Sequence, residues 1–208
     1  MPGRIYEATW GRMFAFGYDR FLSATEKAGL RDMRRELLSQ AAGRTLEVGA
    51  GTGLNADLYP DSVTELVLTE PDRFMVAKLR AKHPAAEVTE APAESLPFED
   101  DSFDTVALTL VLCTVPDPPA ALREIARVLK PGGRFLFLEH VRADDAKLAR
   151  WQDRLHGPWY LFGDGCHCNR DTLGTIEASP LTVEHSETGS LPKAVPLVRP
   201  LLRGAARV

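Results

Sequence analysis

Thr45-Leu46-Glu47-Val48-Gly49-Ala50-Gly51-Thr52-Gly53 reads as a short apolar strand that runs into a turn with glycine at every second position. Glycine has no Cβ and tolerates positive φ, so a backbone of this kind can press against a flat nucleoside or a chain of polar atoms. Glu70, 17 residues beyond Gly53, lies where a second strand ends. The spacing departs from the dinucleotide fingerprint Gly-x-Gly-x-x-Gly, whose third glycine serves helix packing and whose helix N-terminus holds a pyrophosphate. Here Gly49 and Gly51 are followed by Thr52, Gly53 and Leu54, so that third glycine is displaced. Taken alone, the loop also fits a plain strand-to-helix turn, and Glu70 a surface acid.

On either side of this loop, apolar runs suited to buried parallel strands alternate with helical patterns, the signature of an α/β sheet covered on both faces. Residues 46–48, 66–68, 105–110 and 135–138 are the clearest strands. Asp117 is placed as an N-cap before Pro118, and Leu122, Ile125 and Leu129 recur on one helical face until Pro131-Gly132-Gly133 stops the helix. Residues 6–42 have mixed helical periodicity with Trp10, Phe14, Tyr18, Phe21 and Leu22, enough for one or two helices that form a lid. Without a repeat, low-complexity tract or linker, the chain divides into a helical extension, 1–42, and one domain, 43–208. The tail 189–208 has no acid, and its Pro196, Pro200 and Gly204 argue against a helix. Read as a strand, it puts Arg199, Arg203 and Arg207 on one face, either a solvated edge or a surface for an anionic substrate or membrane.

With 208 residues, 44% apolar and 26% charged, the composition is that of an ordinary soluble domain. A net charge of −4 lacks the basic surplus of nucleic-acid binders, so no such partner is expected. No run approaches the ~18 apolar residues of a membrane span, and Met1-Pro2-Gly3-Arg4 leads into no apolar signal core. These features predict a cytoplasmic protein, monomer or homodimer. Cys113, Cys166 and Cys168 are an odd number, which favours reduced thiols over a disulfide framework. Cys166-His167-Cys168 with His156 offers soft ligands, but structural zinc sites space paired cysteines more widely and supply a second pair, so no metal is expected.

Glu47-x-Gly49-x-Gly51-x-Gly53 resembles the first motif of class I methyltransferases that use S-adenosylmethionine (SAM). The resemblance implies a cofactor-binding set of Glu47, Gly49, Ala50, Gly51, Thr52 and Gly53, with the glycine loop against the methionine part. It also implies that Glu70, followed by Pro71, takes both ribose hydroxyls, since a carboxylate can accept two hydrogen bonds at once. Ala93-Glu94-Ser95-Leu96-Pro97-Phe98 and Asp100-Asp101-Ser102-Phe103-Asp104 look like the segment that leads from the adenine contact into the fourth strand of quinone-pathway methyltransferases. Lys130-Pro131-Gly132-Gly133 is similar to the turn before their fifth strand. Pro92 stands where relatives often carry an aspartate for the adenine amino group, which passes adenine recognition to Glu94 and the backbone N–H of Ala93. Thr109 and Leu110 complete the implied cofactor set. The implied fold is a Rossmann-like doubly wound sheet of seven strands with the last antiparallel, and the implied product is S-adenosylhomocysteine.

Thr109-Leu110-Val111-Leu112-Cys113-Thr114-Val115, Glu139-His140-Val141, Trp151-Gln152, Pro158-Trp159, Asp164-Gly165-Cys166 and Leu197-Val198-Arg199-Pro200 carry a narrower resemblance. They look like the methyltransferase-like thiol (alkyl thiol) S-methyltransferases. Membrane-bound members of that family start with an apolar anchor helix, a feature this sequence does not show.

Methyl transfer from a sulfonium is an in-line displacement with an activated leaving group, so alignment supplies much of the rate, ~7 to 11 kcal/mol. A thiol is already a few per cent ionised near neutrality and needs little help from a base. His140, at the C-terminal end of the fifth strand, is the leading base candidate and Asp164 the second. Each has a plainer reading, a strand-capping histidine and an Asp-Gly turn. Trp10, Tyr18, His140, Trp159 and Cys166 are the expected acceptor contacts, suited to a small, moderately hydrophobic molecule. Sulfur leads as the acceptor atom. The alternatives are O-, C- or N-methylation of a natural product, quinone precursor or phospholipid, a non-catalytic SAM-binding regulatory module, and a nicotinamide dehydrogenase.

Overall fold

The computed structural model describes residues 4–208, with side chains from residue 11 onward, so the Trp10 side chain lies outside the described residues. Helix α1 (Arg4–Thr25) leads through a π-helical segment, Glu26–Leu30, into α2 (Arg31–Leu38). Gly29, at φ 137°, makes the bend between them, a conformation that a Cβ would oppose. Strand β1 (Gly43–Val48) ends in the glycine loop, and β2 (Val63–Thr69), α3 (Arg73–Lys82) and β3 (Glu87–Thr89) follow. Next come β4 (Phe103–Thr109), α4 (Pro118–Val128), β5 (Leu129–His140), α5 (Ala146–Phe162), α6 (Thr172–Glu177), β6 (Thr182–Ser190) and β7 (Pro200–Arg207).

The seven strands form one sheet in the order β3-β2-β1-β4-β5-β7-β6. The first five pair in parallel, and β7 runs antiparallel to both β5 and β6, so the doubly wound sheet with an antiparallel last strand is as expected. Period-two alternation along the central strands makes two cores. Val106, Leu108, Phe135 and Phe137 pack with α4 residues such as Leu122 and Ile125 on one face. Ala107, Leu136 and Leu138 pack with Leu30, Leu37 and Leu38 of the N-terminal helices on the other. Each fully buried phenylalanine, Phe103, Phe135 and Phe137, contributes roughly 2–3 kcal/mol by leaving water.

Asp117 caps α4 by accepting from Ala120 N at 2.9 Å. The helix stops at Val128, before Pro131-Gly132-Gly133, and Leu129 is the buried first residue of β5 instead of the last apolar residue of α4. The tail also differs from an edge. Strand β7 is internal, because β6 pairs along its outer side, and Gly204 admits the backbone of His185 and the ring of Phe137 where a Cβ would collide. Two of the three tail arginines are neutralised: Arg203 pairs with Glu187 and Glu36, and Arg207 with Glu184. Arg199 donates to the Ala194 carbonyl.

Candidate active site

The strand order reverses between β1 and β4, and in open α/β sheets ligands collect beyond the carboxyl ends of the strands at that point. The glycine loop lies there. Ala50 N donates to Thr69 O at 2.8 Å, tying the loop to the end of β2, and Gly49, Gly51 and Gly53 all have positive φ. A Cβ on Gly49 would meet Val111 Cγ2 at 2.6 Å, and one on Gly53 would meet Leu79 and His83 of the α3 region at 2.7 Å. Nothing lies within 4 Å of a Cβ built on Gly51, so this part of the backbone faces open space and can accept a ligand. Glu70 closes the cradle. Its carboxylate accepts from Gly51 N at 2.8 Å and from Asp72 N at 2.9 Å. Burial pushes its pKa up to about 7 against those two donors. A nearly buried carboxylate beside an open main-chain cradle fits an adenosyl ligand. Pro71 is exposed beside it, and Asp72 caps α3 through Phe74 N and Met75 N.

Beneath the loop is a polar cluster. Strand alternation turns Glu47 inward, where it accepts from Asn55 Nδ2 and Tyr59 Oη, each at 2.9 Å. Its pKa is pushed up to about 7 by burial, so Glu47 braces the loop from below. Arg34, 3% exposed, donates to Asn55 Oδ1 at 3.0 Å and to the Thr109 hydroxyl, with Glu26 Oε1 3.2 Å from its Nε. It is the one buried cation among the described residues. Sequence reasoning missed it, although Leu30, Arg34, Leu37 and Leu38 share one helical face. Leu110, next to Thr109, holds a positive φ of 62°, the kind of strain that concentrates at functional sites.

Helix α1 is fastened over the loop. The Thr52 hydroxyl donates to Asp19, which also pairs with Lys82 at 2.6 Å, and Lys78 Nζ donates to Ala15 O at 2.6 Å. Tyr18 lies within electrostatic reach of Arg34, Cys113 and Glu70, and desolvation pushes its phenol up to about 12. Asp164, at φ 50°, lies within electrostatic reach of Glu70 and Asp72. Desolvation first, then Asp72, raises its pKa.

The remaining expected residues lie deeper or to the side. The Cys113 thiol donates to the Cys166 sulfur, which raises Cys113 and lowers Cys166, and the Trp159 indole N–H also faces Cys166. His167 N donates to Cys113 O at 2.7 Å, which holds the two segments together. Glu139 accepts from Val111 N at 2.7 Å and Cys113 N at 3.1 Å and shapes the loop after β4. His140 is buried near Arg34, and burial pushes its pKa down to about 4. Its ring bonds the Val198 backbone, and its Nδ1 has no partner among the described residues. In the segment expected to contact adenine, Ala93 is buried and Glu94 accepts from Asp117 N at 3.1 Å. His156 Nε2 meets His167 Nδ1 at 2.6 Å, which occupies the two histidines nearest the Cys-x-Cys stretch with each other.

Residues 46–137 match the family described as a methyltransferase domain. Human thiol S-methyltransferase TMT1A is 36% identical over 172 residues, covering 77% of this chain and 69% of that protein. The C-methyltransferase UbiE of ubiquinone and menaquinone biosynthesis from Bartonella tribocorum is 37% identical over 126 residues, 56% of this chain and 46% of that protein. Among solved structures, a SAM-dependent methyltransferase of Thermotoga maritima superposes with a TM-score of 0.70 at 22% identity, covering 94% of this chain and 97% of its own. The geranyl diphosphate C-methyltransferase of Streptomyces coelicolor, solved with S-adenosyl-L-homocysteine, gives 0.65 at 12% identity over 86% and 76%. With its cradle, its sheet and these relatives, the chain belongs to the class I SAM-dependent methyltransferases.

Proposed function

We propose that this enzyme methylates a small hydrophobic thiol, with residues 1–42 as a lid on a SAM-binding domain of residues 43–208. Gly49, Ala50, Gly51, Thr52 and Gly53 would hold the methionine portion by main chain, and Glu70 the ribose. Arg34 is the cation for the cofactor carboxylate, in reach of Tyr18 and Thr109. Glu94, Ala93 and Pro71 border the adenine, and Leu110 the methionine portion. Bound there, SAM supplies a methyl carbon already activated by its sulfonium.

The observation that carries the thiol reading is the weakness of the available bases. His140, at a pKa of about 4, stays neutral at physiological pH, and Asp164 is a carboxylate. Neither can ionise an aliphatic alcohol to a useful extent, whereas a thiol of pKa ≈ 8.5 needs little assistance. Asp164 takes the single thiol proton and passes it to solvent, while His140, neutral and buried near Arg34, supports the pocket from behind. Cys166, Trp159 and Tyr18 form a soft, largely apolar wall that suits a polarisable sulfur. The thiol S-methyltransferase relatives at about 35% identity support the same reading.

Incubation with methyl-labelled SAM and a panel of alkyl thiols, phenols and amines tests this assignment. Label is expected on the thiols, with turnover reduced by Asp164→Asn and His140→Ala. Methylation confined to large polar acceptors contradicts the thiol reading. Tight SAM binding with no turnover, indifferent to His140→Ala, indicates a regulatory module.

A further inference from the structure

Helix α5 turns toward solvent a face whose composition neither the sheet nor the methyl-transfer site requires. Lys147, Arg150, Trp151 and Arg154 line a shallow recess of about 190 Å³. The Arg154 guanidinium stands 5.9 Å from the centre of the Trp151 ring. Trp151 is 47% exposed, and Leu155, one helical turn on, is exposed as well. At the far end of the helix Phe162 meets Phe21 of α1 edge-on at 6.4 Å, which carries the apolar surface onto the lid. There Phe21 is 55% and Met13 58% exposed, with Arg20 exposed next to Phe21.

Charge on this face is one-sided. Among the described residues, Lys147, Arg150 and Arg154 have no carboxylate within ion-pair distance. Of the neighbouring acids, Asp153 is engaged by Arg142 and Asn169 and Asp19 by Lys82 and Thr52, while Asp145 caps the helix through Leu148 N and, with Asp144, lines a separate recess beside Leu148 and Arg199. A chain of net charge −4 thus gathers unbalanced cations where its large apolar side chains are exposed. Cations around an indole, with aliphatic and aromatic side chains between them, describe an interfacial helix that lies in a headgroup layer. A nucleic acid would use the cations, but it would leave Leu155 and Met13 in water.

We infer that the α1–α5 face docks on an anionic phospholipid surface. Lys147, Arg150 and Arg154 hold headgroup phosphates, while Trp151, Leu155 and Phe21 enter the acyl boundary. The proposed contact is made by surface side chains of α1 and α5; no helix among the described residues is long and apolar enough to cross a membrane. Because α5 also carries Trp159, a lipophilic acceptor leaving the bilayer meets the acceptor wall directly.

Sedimentation of the full chain with vesicles tests the inference, using phosphatidylcholine alone and an equal mixture with phosphatidylglycerol. Binding to the mixture is expected to be tighter by roughly a hundredfold, the attraction of three cations near an anionic surface. The combined variant Lys147→Glu, Arg150→Glu, Arg154→Glu is expected to abolish that difference, and Leu155→Ser to weaken what remains. Equal binding to both vesicles, or none, overturns the proposal. So does a preference for RNA, or a dimer seen by light scattering that Leu155→Ser dissociates while vesicles are ignored. Methylation of a water-soluble thiol without vesicles stays at the wild-type rate in the triple variant, which separates this test from that of the acceptor.

Discussion

Asp19 on the N-terminal helix accepts a hydrogen bond from the hydroxyl of Thr52 in the glycine loop, 33 residues away in sequence. The contact joins the proposed lid to the cofactor cradle, and Lys82 of α3 completes it. Burial works against the charge on Asp19, but hydrogen bonds from Lys82 and Thr52 hold its pKa below the ordinary carboxylate range. Asp19→Ala is expected to weaken SAM binding roughly fivefold, ~1 kcal/mol for one hydrogen bond to a partly solvated charge. Calorimetric titration of SAM reads this directly, and an unchanged affinity would detach α1 from cofactor binding.

Gly49 and Gly51 respond to alanine in different ways. Both have positive φ, which costs a side chain ~1–2 kcal/mol. At Gly49 the new methyl also runs into Val111, so Gly49→Ala is expected to lower the melting temperature strongly. At Gly51 the methyl enters open space, so Gly51→Ala keeps most of the stability and loses SAM affinity, because it fills the surface the ligand needs. Thermal melts with and without SAM separate the two outcomes, and equal effects on melting and binding would contradict the assignment.

Arg34 is assigned to the cofactor carboxylate, so its removal discriminates between ligands. Arg34→Met is expected to weaken SAM binding at least tenfold, in line with one charged hydrogen bond's ~1.5 kcal/mol, while 5′-methylthioadenosine, which has no carboxylate, binds as before. The variant also leaves Glu26 without its cation, and loss of one partner of a buried pair costs ~3 kcal/mol or more of stability. Arg34→Lys retains a charge and part of the SAM affinity. Equal losses for both ligands would remove Arg34 from carboxylate recognition.

The cradle was legible because its information is local: alternating glycines after an apolar strand, and an acid at the end of the next. The α/β class followed from apolar runs such as 105–110 and 135–138 alternating with helical patterns. Those runs are apolar on both sides because they face two cores, whereas the seven strands with the last antiparallel came from the resemblance. Arg34 was hidden in the polar run Arg31-Asp32-Met33-Arg34-Arg35-Glu36, where only its register with Leu30, Leu37 and Leu38 marks it as buried. Glu47 and Glu139 depend on which loop returns beneath each strand end, Asn55 and Tyr59 for one and 111–113 for the other. A one-dimensional reading has no access to that return. The strand position of the tail was missed for a similar reason, since an internal β7 requires β6 to lie outside it.

Glu70 also sets a pH dependence. Its pKa near 7, raised from 4.5, means that a proton occupies the carboxyl in part of the ligand-free protein at neutrality. Accepting from two ribose hydroxyls requires the ionised form, so below pH 7 binding must release that proton. SAM affinity is therefore expected to rise as pH increases through 7 and to level off above it. In Glu70→Gln the step at 7 disappears. Titrations across this range check the sign, and tightening on acidification would contradict it.

The most direct test is calorimetric titration of SAM and S-adenosylhomocysteine into the wild-type enzyme and into Glu70→Ala. Saturable binding of both is expected, with a loss of ~2 kcal/mol or more in the variant, the worth of a carboxylate that holds two hydroxyls. Undiminished affinity in Glu70→Ala, or binding of NADH in place of SAM, would contradict the assignment of the cradle.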